Sequence, residues 1–154
     1  MTAGVKFSQF TVGGSAIAGD QVVGLRGGVN TIFNINAASS SIQITQAVHG
    51  FAVGNILRLN GATYVLAQAD NATDANVVGI VSSIIDANTF ELQLGGYVIA
   101  LAGLVAGSVY FLDPGVAGGM TTVEPVAVGQ IRKPVFIAAT TTTGFWLNYN
   151  GQQL

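Results

Sequence analysis

Cysteine is absent from the 154 residues, histidine occurs once, and five basic and seven acidic side chains make up 8% of the chain. Without cysteine there is no disulfide framework, no thiolate metal site and no cysteine nucleophile. A single imidazole does not supply a zinc site, and any Ser-His-Asp arrangement would have to be built on His49. A net charge of -2 without a basic cluster lacks the footprint that phosphate neutralisation requires, which argues against nucleic acid as a partner. Long apolar runs are missing too. Between Glu91 and Asp113 no residue is charged, but Gly95, Gly96, Gly103 and Gly107 cut the stretch into strand-length pieces, so membrane insertion is not expected. At the N-terminus Ser8, Gln9, Thr11, Gly13 and Gly14 interrupt what would be a signal-peptide core. The sequon Asn71-Ala72-Thr73 therefore reads as accidental.

What is present is apolar surface and glycine: 50% of residues are hydrophobic and 21 are glycine. A monomer of this length exposes roughly 7,000 Å², and a soluble surface is usually about 25–35% charged residues. Twelve charges do not cover such a surface, so part of it is expected to be hidden against other subunits.

The apolar residues fall in short runs bounded by Gly, Asn and Asp, with no sustained helical period. Residues 21–26 and 29–35 flank Gly27-Gly28, a dipeptide suited to a two-residue hairpin. Ile42 and Ile44 alternate with Gln43 and Thr45. Residues 56–60 lead through Asn60-Gly61 into 63–67, the strongest hairpin signal in the chain. Residues 77–85 and 89–94 enclose the turn Asp86-Ala87-Asn88, and 97–100, 109–112, 134–139 and 145–149 read as further strands. Strands at this spacing predict an all-β fold, an antiparallel sandwich or barrel with an N-terminal attachment arm or hairpin. The arm takes residues 1–36, since an isolated hairpin has too little core to stand alone. The small polar stretch from Ala37 to Ser41 serves as linker or loop, and the β domain takes 42–154.

Chemistry has few places to reside. His49, between Val48 and Gly50-Phe51, reads as a hydrogen-bonded structural residue. Asp70, Asn71, Asp74 and Asn76 suggest a calcium loop, but Ala72 and Ala75 break the ligand alternation, leaving a solvated loop of Asx turns. The glycine pairs lack a following Lys-Ser or Lys-Thr and read as turns. Glu91 and Glu124 are the only glutamates, and nothing in the sequence brings them together. No catalytic residue, metal or cofactor is expected. The aromatics Tyr97, Tyr110, Trp146 and Tyr149 suit core or interface packing, with glycan stacking on Trp146 and Tyr149 as the alternative. Arg132-Lys133, with Arg26 and Arg58, are either specificity contacts at a subunit boundary or ordinary solvated groups.

The chain also resembles structural proteins of tailed-bacteriophage virions, of the tail-fibre and head-decoration kind. The run Phe7-Ser8-Gln9-Phe10 with Gly13-Gly14, and Val22 to Gly28 with Asn30 and Phe33-Asn34, is similar to the start of phage fibre proteins. His49 to Gly54, Val78 to Val81, Ala87 to Phe90, Gly95-Gly96-Tyr97, Leu104, Gly107, Tyr110, Leu112, Gly129 to Pro134 and Asn148-Tyr149 are similar to a β module recurring in them. The resemblance implies a non-enzymatic virion component, a homotrimer whose N-terminal segment docks on capsid, collar, tail or baseplate proteins. Arg26, Gly27, Gly28, Phe33, Arg132 and Lys133 are the candidate interface residues. Capsid decoration and a carbohydrate-binding module for host-surface glycans are the alternative functions.

Overall fold

The computed structural model describes residues 21–26, 29–34, 40–147 and 149–154, the first two segments by their backbone. The chain divides into two units, Met1–Ser39 and Ser40–Leu154. In the first, β1 (Gln21–Arg26) pairs antiparallel with β2 (Val29–Asn34), with Arg26 opposite Val29. That register leaves two residues for the turn, as the Gly27-Gly28 spacing predicts. The glycines themselves, the residues before Gln21 and the linker to Ser39 lie outside the described residues.

The second unit is an all-β sandwich of two five-stranded antiparallel sheets. One sheet has the order β3-β7-β6-β4-β5, from Ser41–Thr45, Thr89–Gln93, Val77–Asp86, Ile56–Asn60 and Thr63–Leu66. The other has the order β10-β9-β12-β13-β8, from Met120–Thr121, Val109–Leu112, Pro134–Ala138, Gly144–Trp146 and Gly96–Val98. A ribbon of β11 (Ile131–Arg132) and β14 (Gln152–Gln153) adjoins them. The segment that resembled a membrane span is β8, a turning connection and β9, and no helix among the described residues is long and apolar enough to cross a membrane.

The principal core lies between the sheets. Ile56 and Ile80 come from the first, and Val98, Tyr110, Leu112, Phe136, Ala138 and Trp146 from the second. Bulges decide which residues reach it. Leu57 is opposite Gly79 and Arg58 opposite Val77, so Val78 is an extra residue and the alternation of β6 shifts there. Val77 and Ile80, three positions apart, consequently share the inner face, while Val78 and Val81 face outward. Gly79 is required at this bulge: a Cβ would lie 2.5 Å from the Gln93 carbonyl oxygen and 2.9 Å from Leu92 Cγ.

The outer face of the first sheet carries a second core of Leu57, Val81, Phe90 and Leu92, packed by Ile44, Phe51, Tyr64 and Leu66. The loop of residues 46–55 belongs to this layer. The Gln46 side chain accepts from the Tyr64 N–H at 2.8 Å and donates to the Tyr64 carbonyl at 3.0 Å, filling a strand partner's place at the edge of β5. Gly54 donates to the Val81 carbonyl and Val81 to that of Asn55, both at 2.8 Å. The first sheet thus carries a core on each face. Among the described residues the second is packed on one.

Candidate functional site

Each strand of the second sheet alternates, but both faces are apolar. Val98, Tyr110, Phe136 and Trp146 point into the core, and their strand neighbours Tyr97, Val109, Ile137 and Phe145 are exposed. Register places these four in a row. Tyr97 is opposite Phe145, Phe145 opposite Ile137, and Ile137 opposite Val109, so the row crosses β8, β13, β12 and β9. Their exposures run from 37% for Ile137 to 50% for Phe145. Tyr97 and Phe145 meet edge to face with centroids 5.1 Å apart, and the Tyr97 hydroxyl lies 2.7 Å from Thr143 Oγ1. None of the five strands of this sheet carries a charged residue. Among the described residues no loop crosses this face as 46–55 crosses the other.

Backbone close approach flattens the row. At Gly144 a Cβ would fall on the Ile137 carbonyl oxygen and lie 2.5 Å from the Phe136 ring, so only glycine lets β13 lie against β12 beside Phe145. The connection between β10 and β11 adds apolar exposure of its own, with Val123 at 73%, Val126 at 76% and Val128 at 96%.

The residues singled out from sequence are dispersed. Arg26 and Phe33 lie in β1 and β2, where only the backbone is described, and Gly27 and Gly28 fall outside the described residues. Arg132 and Lys133 point oppositely. Arg132 Nε lies 2.6 Å from Glu124 Oε1 at the surface, whereas Lys133 is 5% exposed. Lys133 is therefore no solvated surface group, and burial lowers its pKa from 10.5 by desolvating the ammonium. Arg58 is paired within its own chain to Asp74. Trp146 takes the core place read first from sequence: its ring is buried in the principal core, which withdraws it from the alternative glycan platform, while Tyr149 is exposed. The parity of β13 puts Phe145 outside and Trp146 inside.

His49 takes the structural place read from sequence. Its Nδ1 accepts from the Phe51 N–H at 2.9 Å, and Nε2 lies 3.0 Å from the Asp86 carbonyl, so Nε2 carries the proton. The ring stacks on Phe51 at 5.3 Å and meets the edge of Phe90 at 5.0 Å. Both nitrogens are thereby occupied. In the loop of residues 70–76 the Asx side chains bond nearby groups, as read from sequence, but three residues on and not as an Asx turn: Asn71 Oδ1 accepts from the Asp74 N–H at 3.0 Å and Asn71 Nδ2 donates to Asp74 at 2.7 Å.

Clefts open on the sandwich, among them two lined in part by polar side chains. One, of about 440 Å³, is lined by Ser82, Ser83, Glu91, Gln93 and Tyr97. The other, of about 310 Å³, is lined by Asn76, Ile131, Lys133, Asn150 and Gln153. Sequence reasoning missed both, because each is assembled by tertiary contact: the first joins Ser41 to residues 82–100, and the second joins residues 72–76 to 131–133 and 150–153. No protein-family description, curated protein or solved structure matches the chain.

Proposed function

We propose that this chain is a non-enzymatic structural component of a tailed-bacteriophage virion, a short tail-fibre-like or adaptor protein. It associates with copies of itself, as a trimer, through the uncharged face of the second sheet, and residues 1–36 dock on capsid, collar, tail or baseplate proteins. The observation that carries this reading is the exposed row Tyr97, Phe145, Ile137 and Val109 on a sheet without charge. Five strands about 4.8 Å apart and two to five residues long present roughly 270 Å² of sheet. That is about a third of the ~800 Å² per partner in a standard interface. The contact therefore extends beyond the row, and the exposed valines 123, 126 and 128 supply apolar surface of the right kind. A net charge of -2 leaves little repulsion between copies. The phage assignment rests on the resemblance of the sequence; capsid decoration uses the same surfaces. Light scattering on the whole chain tests the self-association, with a trimer expected, and imaging of labelled particles tests the location.

A second reading, glycan recognition, is favoured by the cleft at Tyr97. Its half-exposed ring stands beside the carboxylate of Glu91, the amide of Gln93 and the hydroxyls of Ser82 and Ser83, a stacking surface with polar groups around it. Glycan-array binding lost in Tyr97→Ala supports this reading; an array without hits removes it.

A further inference from the structure

Lys133 lies between β11 and β12, and no hydrogen bond or ion pair joins its ammonium to any described residue. Burial of the residue takes part of the ammonium's hydration away, and no partner among the described residues replaces it. The charged groups on the adjoining elements are engaged elsewhere. Arg132 is held by Glu124 and Arg58 by Asp74, Asp113 accepts from the N–H groups of Gly115 and Val116, and Asp70 accepts from Asn71.

Lysine 133 does not face a sealed core. It lines the cleft of about 310 Å³, together with Asn76, Ile131, Asn150 and Gln153, and no other titratable side chain is in that wall. The exposed amide side chains of Asn76, Asn150 and Gln153 make no hydrogen bond to a described residue, so their N–H groups are available to a ligand in the cleft. Gly151 sets the wall in place. A Cβ there would lie 2.5 Å from Ile131 Cγ2 and 2.9 Å from Lys133 Cβ, so glycine lets the C-terminal segment close against the lysine stem. A cation without a counter-ion, in a wall lined by neutral amides and no carboxylate side chain, is complementary to a negatively charged oxygen group.

We propose that this cleft binds a small oxyanion, a carboxylate or a phosphate, with the Lys133 ammonium as its counter-ion and the side-chain amides of Asn76, Asn150 and Gln153 as neutral donors. The site is independent of the self-association face. Burial favours the neutral amine in the empty cleft, and a bound anion favours the ammonium. Binding therefore takes up a proton as the pH approaches the lowered pKa, and affinity falls as the pH rises through it.

Calorimetric titration of the whole chain with inorganic phosphate and, separately, with malonate tests the proposal, alongside Lys133→Met and Lys133→Gln whose folding is checked by circular dichroism. Wild type is expected to bind at one site, at least about tenfold more tightly than either folded variant, a difference of about 1.4 kcal/mol. Preference for phosphate points to a phosphorylated ligand, and preference for malonate to a carboxylate one. Absence of saturable binding of both probes to wild type, or equal binding by a folded variant, overturns the proposal.

Discussion

Phe145 stands directly opposite Tyr97 on the outer face of the second sheet, and the two rings meet edge to face at 5.1 Å without a charged side chain on any of the five strands. Their strand neighbours Trp146 and Val98 occupy the core on the opposite face. One sheet therefore offers two apolar faces, only one of which the described chain covers.

Lys133 imposes a pH dependence on stability. Its folded pKa lies below 10.5, so between that lowered value and 10.5 the unfolded chain holds a proton the folded chain has released. Unfolding free energy therefore rises with pH through this window, is lowest below it and levels off above 10.5. In Lys133→Met this rise is absent and the variant is the more stable at neutral pH. Urea unfolding of both proteins between about pH 7 and 10 reads the difference.

Val48 holds a left-handed backbone, φ 48°, that β-branched residues avoid, and its side chain is 83% exposed. Its N–H is held by Asn88 Oδ1 at 2.9 Å, which fixes the conformation. Val48→Gly relieves the steric cost while losing little packing, and is expected to stabilise the fold by about 1 kcal/mol. Chemical denaturation checks the sign.

Gly144→Ala has the opposite effect. The added methyl meets the Ile137 carbonyl and the Phe136 ring, both parts of a packed sheet. A loss of about 1–3 kcal/mol is expected in the same assay, with greater exposure of Trp146 to fluorescence quenchers.

Asp74 is the sole ion-pair partner of Arg58 among the described residues, and it also accepts from Asn71 within the 70–76 loop. The Arg58 side chain is 16% exposed, so Asp74→Ala strands a poorly hydrated guanidinium. The expected cost is about 1–3 kcal/mol, read by thermal or urea unfolding.

Much of the fold is legible in the sequence because turn chemistry is local. Asn60-Gly61 marks a true hairpin, although Asn60 pairs with Thr63 and the loop is Gly61-Ala62, with the positive φ of 61° at its first position. The runs at 77–86, 89–93 and 109–112 become strands close to their predicted limits. Two-residue strands such as β10, β11 and β14 carry no periodic signal. Parity is the harder matter. Where both faces are apolar, alternation does not say which ring is inside; here it is Trp146, with Phe145 outside. Which sheet keeps a bare face depends on the 46–55 loop folding over the other one, a long-range choice. Lys133 had a readable trace: with Ile131 and Val135 it forms an alternating i, i+2, i+4 set that runs from β11 into β12, all at most 5% exposed.

The central claim is that the bare sheet face joins copies of this chain. Sedimentation equilibrium of wild type and Phe145→Asp, with circular dichroism on both, tests it most directly. Phe145 is half-exposed, so the variant keeps its fold while placing a charge in the middle of the row. Wild type is expected to be a trimer at micromolar concentration, and Phe145→Asp a folded monomer. A monomeric wild type, or a folded variant that remains fully trimeric, contradicts it.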